Sequence, residues 1–272
     1  MNSVGMSERK SCLILEYNRQ SIRYQSKTNA VNEAIRDRLK ELSKKHPSNG
    51  CPLLTVLIRK EFGKINHKRI ERIYLQERLQ LPRHRKKKYI KMPRKPLKAS
   101  KKPNETWSMD FVHDRTYDGR KLRMLNVIDN FTRECLWIAV DRSLNSNKVT
   151  CVLDYLKTTI GLPESIRIDN GAEFTSKRFQ SWSKENNVEL DFIEPGKPMQ
   201  NGYIESFNGK FRAECLNLHW FRNLDHAREE VEKWRYSYNQ KRPHSSLDYK
   251  TPYEFRLEYE ACITESLTLN LV

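Results

Sequence analysis

The sequence predicts an α/β domain with a mixed five-stranded sheet covered by helices on both faces, preceded by a small helical region. Five short segments have the apolar composition of buried strands: 106–114, 122–129, 134–140, 165–168 and 188–192. The first three follow one another and the others alternate with helical segments, an order that favours a mixed sheet. Ahead of them, apolar residues recur at helical spacing in residues 31–45.

The first 81 residues are predicted to be helical. Residues 31–45 and 52–62 form two helices, and Asn66 caps a third whose apolar side carries Ile70 and Ile73. Short helices joined by tight turns favour a helix-turn-helix-like unit. A plain helical bundle with a basic, solvated face fits the same pattern.

In the rest of the chain, turn residues and apolar stripes mark where the elements begin and end. Asp118-Gly119 forms the turn between the first two strands, and Ser146 caps a helix that Gly161 closes. Further helices are predicted from residue 176, after Gly202, and over 225–238.

The formal charge of the 272 residues is +17, and its distribution divides the chain. Residues 1–103 carry a net charge of +20 and the remainder −3. We therefore predict a helical region over 1–81, a basic linker over 82–103, an α/β core over 104–220 and a helical extension over 221–272. Such asymmetry favours a nucleic-acid partner, the alternative being a merely soluble basic surface.

The linker contains eleven Lys and Arg, four Pro and no acid. Because proline excludes a regular helix and like charges repel, the segment is predicted to be extended and suited to a phosphate backbone. The alternative is a solubilising tether. The linker cations predicted to contact DNA are Arg83, Arg85, Lys86, Lys87 and Lys88.

Composition excludes several classes of protein. Apolar residues make up 37% of the chain, enough for a packed core, which excludes wholesale disorder. No apolar run approaches the ~20 residues of a membrane span, and no secretory signal is indicated. Six cysteines lie apart without a Cys-x-x-Cys pair, which argues against a zinc ribbon or a disulfide framework. We expect a soluble, intracellular, reduced protein.

Three carboxylates stand out by position: Asp110, Asp169 and Glu205. Asp110 lies inside the first strand between large apolar residues, where a charge is costly without a partner or a metal. Asp169 closes the fourth strand, and strand ends line the crevice of open α/β sheets. Any single acid is more often a cap or a surface group, and Asp114, on the same strand face, is the main rival of Asp110.

Glu205 lies on the helix after Gly202, at the edge of its apolar stripe. At about 3.6 residues per turn, Asn208 and Arg212 fall close to the line of Glu205. A carboxylate, an amide and a cation on one side suit a metal ligand followed by phosphate contacts. Asn208 and Arg212 are therefore candidates for contact with DNA, the alternative for Arg212 being a solvated helix residue. Lys210 is a further cation of this helix that we predict to contact DNA.

Clustered carboxylates favour Mg²⁺ or Mn²⁺, hard cations that prefer oxygen ligands. Two such ions ~4 Å apart can activate an attacking water or hydroxyl and stabilise the leaving oxygen of a phosphodiester. Without metal, the carboxylates would raise each other's pKa values. The sequence thus predicts a site for two ions at Asp110, Asp169 and Glu205.

Five runs of sequence point to a known family: TWSMDFVHD, VIDNFTRECL, RIDNGAEFTS, QNGYIESFNGKFRAECLN and YNQKRPHSSLDYKTPYEF. They resemble the integrase-like transposases of bacterial insertion sequences, in particular the second-reading-frame product (OrfB) of family three. The resemblance implies an RNase H-like core with an Asp-Asp-Glu triad on Asp110, Asp169 and Glu205, and a basic residue on Arg212. It also implies metal-dependent DNA cleavage and strand transfer through a circular intermediate.

The resemblance further implies partners and a location. The partners are double-stranded DNA at element ends and target, other copies of the chain on that DNA, and the first-reading-frame product, to which a frameshift would join this chain. The location is the bacterial cytoplasm, at the nucleoid. A hydrolytic RNase H-like nuclease and a non-catalytic DNA-binding regulator stay open as alternatives. Asn239, Arg242-Pro243-His244 and Thr251-Pro252 also match the family, and we expect them to form a packed helix and turn.

Overall fold

The computed structural model describes residues 7–23, 30–81, 99–194 and 201–269, with side chains up to residue 264. The helices of these ranges are α1 (Glu8–Ile14), α2 (Arg19–Arg23), α3 (Ala30–Lys45), α4 (Cys51–Phe62), α5 (His67–Gln76), α6 (Ser146–Thr159), α7 (Ala172–Thr175), α8 (Lys177–Glu185), α9 (Gly202–Glu214), α10 (Leu224–Gln240) and α11 (Pro252–Leu269). The strands are β1 (Thr106–Arg115), β2 (Lys121–Asp129), β3 (Cys135–Asp141), β4 (Ser165–Ile168) and β5 (Glu189–Phe192).

The five strands form one mixed sheet in the order β3-β2-β1-β4-β5. β1 pairs antiparallel with β2, which pairs antiparallel with β3, because short turns join them. β1 pairs parallel with β4, and β4 with β5, because helical crossovers separate these strands in the chain. The predicted mixed sheet is confirmed, and its central strand is the one that carries Asp110.

Helices cover both faces of the sheet. One face packs α9 and α10 against Val112 and Met124, and the other packs α6 and α8 against Trp107 and Met109. Alternate residues of a strand point to opposite faces, so Asp110 shares the face of Val112. The carboxylate of β1 therefore points to the side where α9 lies.

The N-terminal helices α3, α4 and α5 enclose their own apolar cluster, which includes Ile35, Leu54 and Ile70. Asn66 caps α5 as predicted, since its side chain accepts a hydrogen bond from the Lys68 amide. Polar contacts link this unit to the rest of the described chain: the Ser48 hydroxyl donates to the Ala213 carbonyl at 2.8 Å, and Lys60 pairs with Glu254 at 2.8 Å.

One predicted cap is wrong. Asn145, not Ser146, caps α6, because the Val149 amide bonds the Asn145 carbonyl at 3.0 Å and the Asn145 side chain accepts from the Lys148 amide at 3.1 Å. Ser146 is thus already the first helical residue. The predicted turn at Gly119 is confirmed, with a positive φ of 80° that suits glycine.

The C-terminal motif forms a packed helix and turn, as expected. The Asn239 amide makes two hydrogen bonds of 2.9 Å with the backbone N–H and carbonyl of Cys135, which ties α10 to the start of β3. Thr251 and Glu254 cap α11 reciprocally, at 3.1 and 2.8 Å. The motif therefore anchors both C-terminal helices.

None of the described helices is long and apolar enough to cross a membrane. None of the six cysteines forms a disulfide bond, and Cys135 and Cys215 are buried in the core. Burial raises the pKa of the Cys215 thiol to about 12.

Candidate active site

Asp110 lies in the middle of the sheet, opposite Asn126 of β2. One carboxylate oxygen accepts from the backbone N–H of Phe111 at 2.7 Å, and the other accepts from the side-chain amide of Asn208 at 2.7 Å. The Asn208 oxygen in turn accepts from the Asn126 amide at 2.7 Å. This chain of hydrogen bonds fixes the orientation of the half-buried Asp110 carboxylate from both β2 and α9.

Asp169 follows β4 directly and is exposed. Its Oδ1 accepts from the Gly171 amide at 2.9 Å, and a Cβ at Gly171 would lie 2.9 Å from that same oxygen. Asn170 donates to the Ile193 carbonyl at 2.8 Å, which anchors the turn to the end of β5. A side chain at Gly171 would therefore displace the Asp169 carboxylate from this position.

Glu205 lies in the first turn of α9 and is exposed. Ile204, Phe207 and Phe211 on the same helix are buried and pack against the sheet. That packing sets the rotation of the helix and leaves Glu205 at the boundary between the core and solvent, as its position beside the apolar stripe predicts.

The three carboxylates interact electrostatically. The pKa of Asp110 is raised to about 6, first by burial and then by the negative charges of Asp169 and Glu205. The hydrogen bonds from Phe111 and Asn208 oppose this rise. The carboxylates do not converge into a closed cluster, since the described residues contain no group of three metal-binding side chains close enough to hold an ion.

The other acids near these strands have different partners. The rival Asp114 accepts from the Arg115 amide at 2.8 Å, whereas Asp169 and Glu205 are the acids with the largest effects on the pKa of Asp110. Asp129 is buried and organises the turn after β2 through backbone N–H groups such as that of Thr132. Glu173 pairs with Arg123. Of the candidate acids, Asp169 and Glu205 are the two whose charges raise the pKa of Asp110.

The residues of α9 that are predicted to contact DNA differ in their surroundings. Arg212 is exposed in the last turn of α9. Asn208 bonds Asp110 and Asn126 instead of facing outward. Lys210 lies five positions after Glu205, about 140° around the helix, and donates to Ser206 at 3.2 Å. The linker cations fall within residues 82–98, outside the described ranges.

The sequence analysis missed Asn126. It is fully buried, and its Oδ1 has no hydrogen-bond partner within the described part of the chain. An amide in the middle of an apolar strand, in LRMLNVID, is the signal that would have found it, because such a group needs a partner. Its partner, Asn208, is distant in sequence.

The order of the five strands and the helices on both faces define an RNase H-like core. Residues 100–198 and 186–252 match the family of the integrase core domain, and residues 30–87 match that of the HTH-like domain.

A protein of insertion element IS407 from Burkholderia multivorans is 42% identical over 95% of this chain and 93% of its own length. A protein of insertion element IS476 from Xanthomonas euvesicatoria is 43% identical over 93% of this chain and 73% of its own. The chain belongs to this family of insertion-sequence transposases, family three, second-reading-frame product. It is a DDE-type transposase.

More distant comparisons agree with the fold. A protein named putative transposase InsK, of insertion sequence element IS150 from Escherichia coli, is 26% identical. The match covers 89% of this chain and 90% of that protein. In a cryoEM structure of the simian T-cell lymphotropic virus intasome, one chain matches with a TM-score of 0.51 and 19% identity, over 80% of this chain and 74% of its own. This likeness shows the common architecture.

Proposed function

We propose that the chain cleaves DNA at the ends of an insertion sequence and joins the freed ends to target DNA, with Asp110, Asp169 and Glu205 as metal ligands. The observation that carries the proposal is the charge balance around Asp110. This carboxylate is half-buried, and the charged groups that act on its pKa are two further acids. Such a site gains most from a cation.

The donor set fits Mg²⁺ or Mn²⁺, because all three side chains offer carboxylate oxygens. Asp110, Asp169 and Glu205 would hold the ions, which would supply activation of the attacking hydroxyl and stabilisation of the leaving oxygen. Asn208 orients Asp110 by donating to one of its oxygens at 2.7 Å. Outer contacts of this kind keep a ligand carboxylate in position.

The reaction has two phosphoryl-transfer steps. In the first, water attacks a phosphodiester at an element end, and the broken P–O bond yields a 3′-hydroxyl and a 5′-phosphate. In the second, this 3′-hydroxyl attacks another phosphodiester, so one P–O bond forms as one breaks. No covalent intermediate with the protein is required, because the proposed site residues act as metal ligands and none of them acts as a nucleophile. Attack within the element's own DNA would give the circular intermediate.

A strand-transfer assay with pre-cleaved end DNA and Mg²⁺ tests the proposal. We expect the 3′-hydroxyl end to be joined to a second duplex, with products longer than the substrate. Hydrolysis without joining would instead indicate an RNase H-like nuclease. Binding without any metal-dependent cleavage would indicate a non-catalytic regulator. Either of these results contradicts the proposal.

We further propose that Arg212 contacts the DNA backbone beside the metal site. Seven residues make ~1.94 turns, so Arg212 lies almost in line with Glu205 but ~10 Å along the axis, beyond a direct ion pair. The guanidinium is exposed at the end of α9 and can bind a phosphate through two parallel hydrogen bonds.

Replacing Arg212 by Ala is expected to lower the strand-transfer rate about tenfold without changing its dependence on Mg²⁺ concentration, because one charged phosphate contact is lost. Arg212→Lys should recover only part of the strand-transfer rate, since lysine keeps the positive charge but cannot form the two parallel hydrogen bonds of a guanidinium. The measurement is the rate against Mg²⁺ concentration for both variants. A wild-type rate in the alanine variant, or full rescue by more Mg²⁺, would rule out this role.

The basic linker is proposed to supply non-specific DNA affinity. Replacing its five named cations by Gln should lower the slope of log affinity against log salt by up to about 4.5, since each phosphate neutralised contributes about 0.9. A matched control replaces five exposed cations of the core: Lys121, Arg142, Lys177, Arg178 and Lys184. Equal slopes for the two variants would show that the linker has no special part in binding. The five linker cations are Arg83, Arg85, Lys86, Lys87 and Lys88.

Double-stranded DNA is the proposed substrate, and the family resemblance supports two further partners. These are additional copies of the chain on the element ends and the first-reading-frame product. Sedimentation of the chain with end DNA, with and without that product, would measure both associations. We also propose a location at the bacterial nucleoid, which follows from the DNA substrate.

A further inference from the structure

Helix α9 has a second charged side, turned about 140° from Glu205. This side carries Tyr203, Ser206, Lys210 and Glu214. Segments from two other parts of the chain contact it: the turn between β2 and β3, and the loop between α10 and α11. Neither contact involves the candidate metal ligands.

The turn between β2 and β3 contributes Arg133. Its backbone lies in the left-handed region, with φ 63°, and its guanidinium lies 3.6 Å from the centre of the Tyr203 ring. It also donates to the Asn130 carbonyl. Both partners of Arg133 are uncharged, so its positive charge is not neutralised by these contacts.

The loop after α10 contributes Arg242 and His244. Arg242 binds Glu214 through a fork, with its Nε and Nη2 at 2.8 and 2.7 Å from the two carboxylate oxygens. The His244 ring lies edge-on to Tyr238, with centroids 4.7 Å apart. His244 is 3% exposed, and its Nε2 has no hydrogen-bond partner within the described ranges.

Three cations therefore meet on this side of α9, against one carboxylate. Glu214 is already engaged by Arg242, and the hydrogen bond of Lys210 goes to the neutral Ser206 hydroxyl. The residues facing Lys210 are thus Arg133, Arg242 and His244 from the packed segments, and Ser206 and Glu214 from its own helix. The side chains of Arg133, Lys210 and Arg242, which carry this excess positive charge, are half-buried.

Burial and the excess of positive charge lower the pKa values of Lys210 and His244. The pKa of Lys210 is lowered to about 8, first by burial and then by Arg242 and Arg133, against the opposite effect of Glu214. The pKa of His244 is lowered to about 3, first by burial and then by Arg242, Lys210 and Arg133. Half-buried cations that destabilise one another are costly unless an anion offsets them.

We propose that Arg133 and Lys210 form a second phosphate-binding site next to the Arg242–Glu214 pair. This site would hold a backbone phosphate of the DNA other than the one that reacts. The inference rests on the proposed function, because a phosphodiester is the anion that a transposase meets at this surface. Lys210 and Arg133 are both partly exposed, so their N–H groups can reach non-bridging phosphate oxygens. The site lies on the side of α9 away from Glu205, so it positions the duplex and takes no part in the reaction.

The test measures binding of the full chain to a labelled DNA duplex of about 30 base pairs by fluorescence anisotropy. Lys210→Met is expected to bind about three- to tenfold more weakly and to lose about 0.9 from the salt slope, for every DNA sequence. Its melting temperature should stay equal or rise, because a desolvated charge among cations is removed. A purely structural lysine would do the opposite, with lower stability and unchanged binding.

Dependence on pH provides a second measurement. Below pH 8 Lys210 is charged, and a bound phosphate raises its pKa, so affinity falls as the pH rises through about 8. Between about pH 7 and about pH 9.5 the wild type should lose about fivefold more affinity than Lys210→Arg, which stays charged. If DNA affinity depends on pH equally in the wild type and in Lys210→Arg, the proposed phosphate-binding site is wrong.

Lys233→Met is the matched control, since it removes one exposed lysine from α10 that pairs with Glu229 and Glu230. If Lys210→Met binds DNA no more weakly than this control, the inference is wrong. Metal-dependent cleavage by the Lys210 variants is assayed in parallel. Intact cleavage with unchanged binding overturns only the phosphate site, whereas a wild type without metal-dependent cleavage overturns the proposed function.

Discussion

Asp110→Asn is expected to lower both DNA cleavage and strand transfer by about 10³-fold or more, which corresponds to at least about 4 kcal/mol of transition-state stabilisation. The amide keeps the shape and one oxygen, but it lacks the negative charge that holds a divalent cation. Asp169→Asn and Glu205→Gln should have effects of the same size. The measurement is the single-turnover rate with end DNA and Mg²⁺.

The control for these variants lies on the same strand. Asp114→Asn changes a carboxylate that bonds the Arg115 amide, and it should keep activity within about threefold, since Asp169 and Glu205 are the acids with the largest effects on Asp110. DNA affinity should be unchanged in all four variants, because the basic residues lie elsewhere. An active Asp110→Asn together with an inactive Asp114→Asn would move the catalytic assignment to Asp114.

Arg242→Ala is expected to lower the free energy of unfolding by about 3 kcal/mol, because Glu214 would then be left buried without its partner. The two side chains are only 13% and 15% exposed. For a chain of this size the melting temperature should fall by about 6–12 °C. Denaturant unfolding followed by circular dichroism measures the change.

Two comparisons make this result specific. Lys233→Ala removes an exposed pair on α10 and should cost less than about 0.5 kcal/mol. The double replacement Arg242→Met with Glu214→Met should recover most of the loss, since it removes the unpaired charge together with its partner. If Arg242→Ala is no less stable than Lys233→Ala, the pair does not stabilise the fold.

Most of the fold could be predicted from local sequence, because periodicity and turn residues report directly on strands and helices. Ser165–Ile168 was predicted with the bounds that the structure gives, and α9 begins at Gly202 as expected. The misplaced cap of α6 has a local cause: Asn145 and Ser146 are both good capping residues, and sequence does not choose between neighbours.

Asp110 and Asp169 stand out in the local sequence, since Asp110 is a charge in an apolar strand and Asp169 follows a buried strand. Any one acid is more often a cap or a surface group, so the assignment of the three carboxylates as a set depends on the family resemblance. What sequence could not supply was their neighbours. Periodicity shows which side of α9 carries Lys210, but not that Arg133 and Arg242 pack there. The bond between Asn208 and Asp110 likewise joins residues 98 positions apart, and only the assembled sheet brings them together.

The location of Glu205 on α9 has a consequence for synthesis of the protein. Phe207, which sets the rotation of this helix, packs against Trp234 and Tyr238 of α10, with ring centroids 5.5 and 5.0 Å apart. A nascent chain that has emerged only as far as Glu205 therefore lacks the residues that hold the helix in place. During translation the basic residues 1–103 are complete long before the three carboxylates can be brought together, so an interrupted product carries these cations without an assembled candidate active site.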